Sequence, residues 1–412
     1  MNSLKSIAQK YSETSLVLRI AIGIVVGAIL AVAVPQASFI SIFGDLFVGA
    51  LKAIAPVLVL VLVASSLASA RGGNGRKFRI VIILYLLSTL CAAVLAVIMN
   101  FIFRVEVPLD GAAAAEGYEA PSGMSEVIGN LLHNVVANPV DAVMNANYLG
   151  ILFWAVVLGL ALKASSATTK KWLDDLADAI NQVVRWIISF APFGIMGLVF
   201  NSVSTSGLEI FETYGKLVAV LVVTMLIAAF VLNPAIVAIV LRHNPYPLVF
   251  HCIKTSGVTA FFTRSSAANI PVNMELCEDL GLDEDMYSVS IPLGATINMN
   301  GAAITITTFA LTAAFTTDVH VTLPLAIMLC IIGAFSACGA SGVAGGSLLL
   351  VPLGCSLFGI PAEVAMQMVG IGFIISVIQD SMETALNSSG DAIFTATAEF
   401  KDWKKQGREL PL

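Results

Sequence analysis

The sequence predicts an all-α polytopic membrane protein, and its composition, mean hydropathy and apolar run lengths all support that class. Of the 412 residues, 58% are hydrophobic and 12% are charged, whereas about a quarter of the residues in soluble domains are charged. The mean hydropathy is +0.92, and apolar runs of about 20 residues, enough to cross a bilayer, recur along the chain. The formal charge of −6 therefore belongs to loops, and we expect no nucleic-acid partner.

The apolar runs give the candidate membrane spans in order. They lie at residues 16–35, 46–70, 78–103, 147–166, 186–206 and 214–241, and further apolar chain follows as far as residue 397. The first run has basic residues near its start and Ala31-Val32-Ala33 near its end, which loosely imitates a signal peptide. The many later spans favour an uncleaved first helix.

Basic residues predict the orientation of the spans. They cluster near the N-terminus, at residues 71–79 and 163–171, at Arg242, and at residues 401–408, whereas residues 106–126 contain no Lys or Arg. Alternating these clusters across the spans places both termini in the cytoplasm. We therefore expect a multi-pass protein of a bacterial inner membrane, surrounded by membrane lipid.

Residues 246–397 do not divide into clean spans. Polar or glycine-rich stretches interrupt two apolar segments, Phe261 to Pro271 and Ala337 to Ser347. A longer segment with its own polar centre follows each of them, at Ala295 to Ala303 and at Gln379 to Asp391. One such stretch alone is typical of tight helix packing, but the repeated order is typical of transporters whose site lies between discontinuous helices near the membrane midplane.

The last polar stretch, QDSMETALNSSGD, places its polar residues on one helix face. Asp380, Thr384, Asn387 and Asp391 follow one another at intervals of four, three and four residues, which confines them to a stripe about 40° wide. Three acids facing lipid would be costly, so we expect them to face protein, water or cations. Carboxylate and amide oxygens suit a hard cation such as Na⁺, and Asp380 suits the ammonium group of an amino acid.

These motifs resemble those of the dicarboxylate/amino acid:cation symporters, the glutamate transporter family. The resemblance rests on Arg264-Ser265-Ser266, on Asn298-Met299-Asn300-Gly301-Ala302, on the glycine-rich stretch from Ala337, and on the ladder of the last helix. Within the family the sequence is most similar to the bacterial serine/threonine:sodium symporters. The resemblance implies eight transmembrane helices, two re-entrant hairpins, inverted repeats, a homotrimer and elevator-type alternating access, with Na⁺ as coupling ion and no other cofactor.

The resemblance also implies a division of the chain. Residues 1–77 and 106–212 would form a scaffold that includes an external loop, residues 78–105 and 213–397 a transport domain, and residues 398–412 a cytoplasmic tail. The substrate-binding residues would be Ser266, Val343, Asp380, Glu383, Thr384 and Asn387. One sodium site would comprise Gly294, Asn298, Asn387 and Asp391, and a second Thr296, Met299, Ala337, Cys338 and Ala340.

Departures from the family pattern predict the substrate. Glu383 stands where acidic-substrate members have a clamping arginine, and Ala302 stands where they have a hydroxyl. A carboxylate repels an acidic substrate but can accept a hydrogen bond from serine or threonine, so we expect a small neutral hydroxy amino acid. Alternatives are another neutral amino acid such as alanine, or less favourably a dicarboxylate. Arg264 is a candidate partner for Glu383.

A further departure concerns the number of coupled ions. Asn300 replaces an aspartate that, in the family, serves another sodium site, and Tyr85, Ser88 and Thr89 match its neighbours. Neutral oxygens hold a cation less tightly than a carboxylate, so we expect fewer coupled sodium ions than in the glutamate transporters.

Two other functional classes fit less well. An intramembrane aspartyl protease needs acids from different helices, whereas Asp380 and Asp391 share one helix about 16 Å apart. The four histidines are scattered, and no Ser/His or zinc motif is present, so we expect no enzyme. An ion channel needs a polar lining repeated around an axis, whereas the polar groups here concentrate in two paired breaks.

Overall fold

The computed structural model describes residues 14–69, 76–109, 137–340 and 345–411, and these residues form α-helices without any strand. The helices of the first half are α1 (Leu16–Ala33), α2 (Ser41–Ser69), α3 (Arg76–Ile102), α4 (Pro139–Met144), α5 (Tyr148–Leu162), α6 (Ala167–Ser189), α7 (Ala191–Ser206), α8 (Ile210–Ile227) and α9 (Asn233–Leu241). Those of the second half are α10 (Tyr246–Cys252), α11 (Val258–Thr263), α12 (Ile270–Asp279), α13 (Glu284–Ile297), α14 (Asn300–Thr316), α15 (Leu323–Ala337), α16 (Val351–Ser356) and α17 (Ala362–Lys405).

The helices confirm a polytopic membrane protein. Within the described ranges, six helical segments are long and apolar enough to cross a membrane, and α6 with α7 adds a seventh if this pair, bent by 53°, counts as one span. α5 and α15 are apolar but shorter. The predicted runs at 16–35, 46–70, 78–103 and 214–241 correspond to α1, α2, α3 and the joined α8 and α9.

Small residues bring the first helices into close contact. Cβ atoms added at Gly23 and Gly27 of α1 would lie 2.3 and 2.4 Å from backbone oxygens of α7, and one at Gly159 of α5 would lie 2.9 Å from a backbone oxygen of α2. Lipid tails are as apolar as the side chains, so the hydrophobic effect does not drive helices together within a bilayer. Close van der Waals packing is therefore a main source of helix association there. Glycine is therefore required at these crossings.

The apolar run at residues 186–206 does not form a single straight helix. Phe190 separates α6 from α7, and α6 itself is amphipathic, with Leu173, Ala177, Ile180, Val184 and Ile188 on its buried face. The Asp174 carboxylate of α6 accepts hydrogen bonds from Ser65 and Ser69 of α2. The opposite face of α6 carries charged residues. The N-terminal part of α6 therefore does not belong to a continuous apolar run.

The second half of the chain is organised around α17. α14, which is buried along nearly its whole length, packs against α17, and α11, α13 and α16 also contact it. Two breaks contact α17, at Arg264 where α11 ends and at Asn298-Met299 between α13 and α14. A third break, where α15 ends at Cys338, meets the end of α13. We call residues 246–279 the first interrupted segment and residues 323–356 the second.

The two polar-centred helices differ. The stretch Ala295 to Ala303 contains a real break between α13 and α14, whereas Gln379 to Asp391 lies inside the unbroken α17. The second polar stretch can remain helical because its polar side chains find partners on the neighbouring segments.

Candidate functional site

The polar ladder of α17 lies inside the protein. Its side chains have exposed fractions of at most 6%, for Asp380, Glu383, Thr384, Asn387 and Asp391. The helix continues for 14 residues beyond Asp391 to Lys405, so the acids do not mark a helix end in a solvated loop. A buried carboxylate needs donors or a cation, and the structure supplies a different environment for each of the three.

Asp380 lies between the two interrupted segments. Arg264 Nε donates to Asp380 Oδ2 over 2.7 Å, and the Gly345 backbone N–H donates to Asp380 Oδ1 over 3.2 Å. Arg264 reaches Asp380 from the end of α11, where its own backbone is left-handed with φ of 53°. Its side chain is 10% exposed, so this is a buried ion pair.

The ion pair decides between the two acids that Arg264 could meet, since its partner is Asp380 and not the candidate Glu383. Asp380 and Glu383 are three residues apart and therefore point about 60° apart around α17. Asp380 faces the end of α11, whereas Glu383 faces α14, where Gly301 lies so close that a Cβ would be 2.8 Å from the Glu383 Cα. Arg264 consequently meets the nearer acid.

Glu383 is held by neutral donors from three segments. Its Oε2 accepts hydrogen bonds from Thr305 Oγ1 of α14 at 2.7 Å, from Ser347 Oγ at 2.8 Å and from Gln379 Nε2 of its own helix. Thr305, Ser347 and Gln379 were not predicted from the sequence. Two of them carried a signal, since Thr305 is one helical turn after Gly301 and Gln379 is one turn before Glu383.

The first predicted sodium group is brought together. Asn298 Nδ2 donates to Asp391 Oδ1 at 2.9 Å and to the Asn387 carbonyl at 3.1 Å. The Gly294 backbone is adjacent, because a Cβ there would lie 2.7 Å from Asp391 Oδ1. Asn387 Oδ1 is engaged by the Gly301 N–H at 2.7 Å, which anchors the start of α14.

Asp391 has one oxygen left for a cation. Its Oδ2 is buried and has no hydrogen-bond partner in the described part of the chain. An uncompensated buried carboxylate oxygen is costly, and a hard cation would offset that cost. This donor set therefore fits the sodium ion expected as transported cargo.

The second predicted sodium group is brought together in part. Cys338 Sγ lies 3.8 Å from the Ile297 carbonyl, so the end of α15 meets the end of α13 beside Thr296 and Met299. The Thr296 hydroxyl donates to the Leu293 carbonyl, and the Ala337 carbonyl accepts from the Ala340 N–H. Their roles as sodium ligands stay predictions.

Three further residues are predicted substrate contacts, Ser266, Thr384 and Val343. The Ser266 carbonyl accepts from the Asn269 N–H, and the Thr384 hydroxyl donates to the Asp380 carbonyl at 2.7 Å. Val343 lies outside the described residues. The predicted roles of these three residues in substrate binding are untested by the structure.

Asn300 lies in a neutral cluster between α3 and α14. Its Oδ1 accepts from Ser88 Oγ and Thr89 Oγ1, both at 3.1 Å, and its Nδ2 donates to Asn233 Oδ1 at 3.1 Å. The Tyr85 hydroxyl, one turn earlier on α3, lies within hydrogen-bonding distance of the Ser290 and Asp391 backbone carbonyls, to which it can donate, and of the Thr395 hydroxyl. Among the described residues, the hydrogen bonds of Asn300 thus involve only hydroxyl and amide side chains, and no carboxylate.

The fold and the site together define a polytopic membrane protein in which broken helices converge on buried carboxylates. The chain belongs to the sodium:dicarboxylate symporter family, whose model matches residues 16–399. It is 56% identical over 410 residues to a serine/threonine transporter of Bifidobacterium adolescentis, covering 99% of this chain and 95% of that protein. It is 54% identical over 402 residues to a serine/threonine transporter of Streptococcus thermophilus, covering 98% and 100%. It is also 55% identical over 396 residues to one of Streptococcus agalactiae, covering 96% and 98%.

These findings confirm the predicted family and the similarity to bacterial serine/threonine transporters.

Proposed function

We propose that the protein is a sodium-coupled symporter that imports L-serine and L-threonine. The observation that carries the proposal is Glu383, a buried acid held by neutral donors at the position where acidic-substrate members have an arginine. The names of the relatives support the same substrates. An alternative neutral substrate such as alanine lacks the hydroxyl for which this acid provides an acceptor.

In this proposal Glu383 is ionised, and its charge excludes acidic substrates. A side-chain carboxylate placed against it would be repelled by about 4 kcal/mol at a separation of 4 Å and an effective dielectric constant of about 20. A serine or threonine hydroxyl can instead donate to a carboxylate oxygen. Ala302, which is fully buried, offers no hydroxyl that could hold an acidic side chain.

The ammonium of the substrate binds at Asp380 in this proposal. Arg264 and the Gly345 N–H hold that carboxylate in place, so an incoming ammonium shares Asp380 with Arg264 or displaces it. Thr384 and Asn387, on the same helix face, contact the substrate's backbone polar groups. Backbone groups at Ser266 and Val343 complete the site from the two interrupted segments.

Sodium occupies the group around Asp391 and the group formed by Thr296, Met299, Ala337, Cys338 and Ala340. The free Oδ2 of Asp391 supports the first of these sites. At Asn300 the amide oxygen already accepts from Ser88 and Thr89 and the amide nitrogen donates to Asn233, which supports a lower sodium count than in the glutamate transporters. Flux ratios equal to those of the glutamate transporters would contradict this part of the proposal.

The architecture in this proposal has eight transmembrane helices and two re-entrant hairpins, which are the first and second interrupted segments, arranged as inverted repeats. Residues 78–105 and 213–397 move as a transport domain against a scaffold of residues 1–77 and 106–212, in a homotrimer of the inner membrane with cytoplasmic termini. The second interrupted segment acts as the external gate, and the contact of its Gly345 N–H with Asp380 supports that role.

Uptake of radiolabelled L-serine into proteoliposomes tests the function. An inward sodium gradient should drive concentrative uptake, equal sodium on both sides should not, and unlabelled threonine but not glutamate should compete. Robust glutamate uptake without serine uptake would refute the role of Glu383, and uptake of neither would refute the functional class.

A further inference from the structure

A single row of exposed side chains runs along the first interrupted segment. Tyr246, Phe250, Val258 and Phe262 follow one another at four- or eight-residue intervals and are 43, 54, 49 and 77% exposed. Lys254 occupies the remaining position of this row and is also exposed. The π-helical turn Ile253–Gly257 widens the helix to more residues per turn, which keeps side chains four residues apart nearly in line.

An apolar cavity of about 300 Å³ opens beside this row. Leu226 and Phe230 line it from one side, Val258 and Phe262 from the row itself, and Ala385 from α17. Among its lining residues in the described chain, Ser389 alone has a polar side chain. A second π-helical turn, Ala228–Leu232, borders the same cavity, so both walls depart from regular helix where they face it.

Lys254 is the one cation of the row, and its side chain has no hydrogen bond or ion pair within the described ranges. It lies one turn before Val258, which lines the cavity. Helical side chains tilt toward the helix N-terminus, so the ammonium is directed back toward Tyr246, where the segment begins. An ammonium among lipid-facing apolar side chains is costly unless it reaches the interface or an anion.

We propose that this cavity is a binding site for an anionic phospholipid of the leaflet on the Arg242 side. One acyl chain fills the apolar cavity, and the phosphate of the headgroup pairs with Lys254. The row can bind both parts of such a lipid. Lys254, which would bind the headgroup, precedes Val258 and Phe262, which line the cavity for the acyl chain. The lipid would thereby join the first interrupted segment to α8 and α17, which is a role separate from substrate or sodium binding.

Native mass spectrometry of the purified full chain in neutral detergent tests this site. Dioleoyl-phosphatidylglycerol and dioleoyl-phosphatidylcholine, which share their acyl chains, are titrated in parallel, with glycerol 3-phosphate as a probe for free phosphate. We expect phosphatidylglycerol to bind more tightly than phosphatidylcholine. Lys254→Gln should weaken phosphatidylglycerol binding about fivefold, as expected for one basic residue near an anionic headgroup, and should remove the preference between the two lipids.

Two further variants separate the parts of the ligand. Ala229→Phe fills the cavity and should weaken the binding of both lipids by the same factor. Lys163 is an exposed lysine at the end of α5, and Lys163→Gln should leave the binding of both lipids unchanged. Equal affinity for the two lipids, an effect of Lys163→Gln equal to that of Lys254→Gln, or Lys254-dependent binding of glycerol 3-phosphate as tight as that of the lipid would overturn the proposal. Lys254 is exposed, so its variant decides the headgroup question even where Ala229→Phe does not fold.

Discussion

The substitution Glu383→Gln tests the substrate assignment with little change in shape. The Glu383 side chain is 5% exposed, and its Oε2 accepts hydrogen bonds from Thr305, Ser347 and Gln379. Glutamine keeps an oxygen that can accept these bonds and removes the negative charge. The variant therefore isolates the effect of charge on selectivity.

The expected magnitude follows from the charge. Removing a repulsion of about 4 kcal/mol, at about 1.4 kcal/mol per tenfold change, would strengthen glutamate binding by roughly 10³-fold. A hydrogen bond to a charged group contributes about 1 kcal/mol more than one to a neutral group, so serine affinity should fall roughly fivefold. The ratio of the two affinities should thus change far more than the affinity for serine itself.

The assay is inhibition of radiolabelled serine uptake by unlabelled glutamate and serine in proteoliposomes. Glu399→Gln is the matched control, because Glu399 is also buried on α17 but accepts from Asp283 and Trp403, away from the ladder. Size-exclusion profiles establish that both variants fold. If glutamate inhibits Glu383→Gln no better than the wild-type protein, the charge of Glu383 does not set selectivity and the reasoning fails.

Three other substitutions test the remaining parts of the site. Asp391→Asn should raise the sodium concentration for half-maximal serine binding more than tenfold, because a charged ligand is lost; an unchanged sodium dependence would rule out a site there. Asn300→Asp should raise the measured ratio of sodium to serine flux, and an unaltered ratio would show that the missing carboxylate does not limit coupling. Gly301→Ala should lower the thermal midpoint in detergent, since its Cβ would lie 2.8 Å from the Glu383 backbone and overpacking costs about 1–3 kcal/mol. Gly49→Ala, which meets nothing within 4 Å, should not lower it.

The sequence predicted the helices whose apolar runs span a membrane and missed those that do not. α1, α2 and α3 follow the predicted runs closely, because one uninterrupted apolar surface decides both the run and the helix. α6 escaped detection because only one of its faces is apolar. The bend at Phe190 had a local signal in the sequence, because Pro192 lies in the first turn of α7 and a proline there cannot continue the hydrogen bonds of the preceding helix.

The sequence also predicted only part of the candidate site. Periodicity alone placed Asp380, Asn387 and Asp391 on one buried face, because a regular helix fixes angular positions. The partner of Arg264 depended on which acid faces the end of α11, and that is a matter of tertiary packing. Ser347 reaches Glu383 across 36 positions of the chain, and no spacing rule relates residues on separate segments.

The contacts of Asp380 would link the proposed binding of the substrate's ammonium to both interrupted segments. Arg264 from the first segment and the Gly345 N–H from the second bind different oxygens of the same carboxylate. A ligand ammonium that engages Asp380 must alter the charge balance that holds Arg264, and it does so at the point where both segments meet α17. Because the side chains of the ion pair are 10 and 5% exposed, separating them without a replacement cation would leave a buried charge at a cost of about 3–5 kcal/mol. In the role proposed for Asp380, the substrate's ammonium supplies that replacement, so occupancy of the site would be energetically coupled to the position of Arg264.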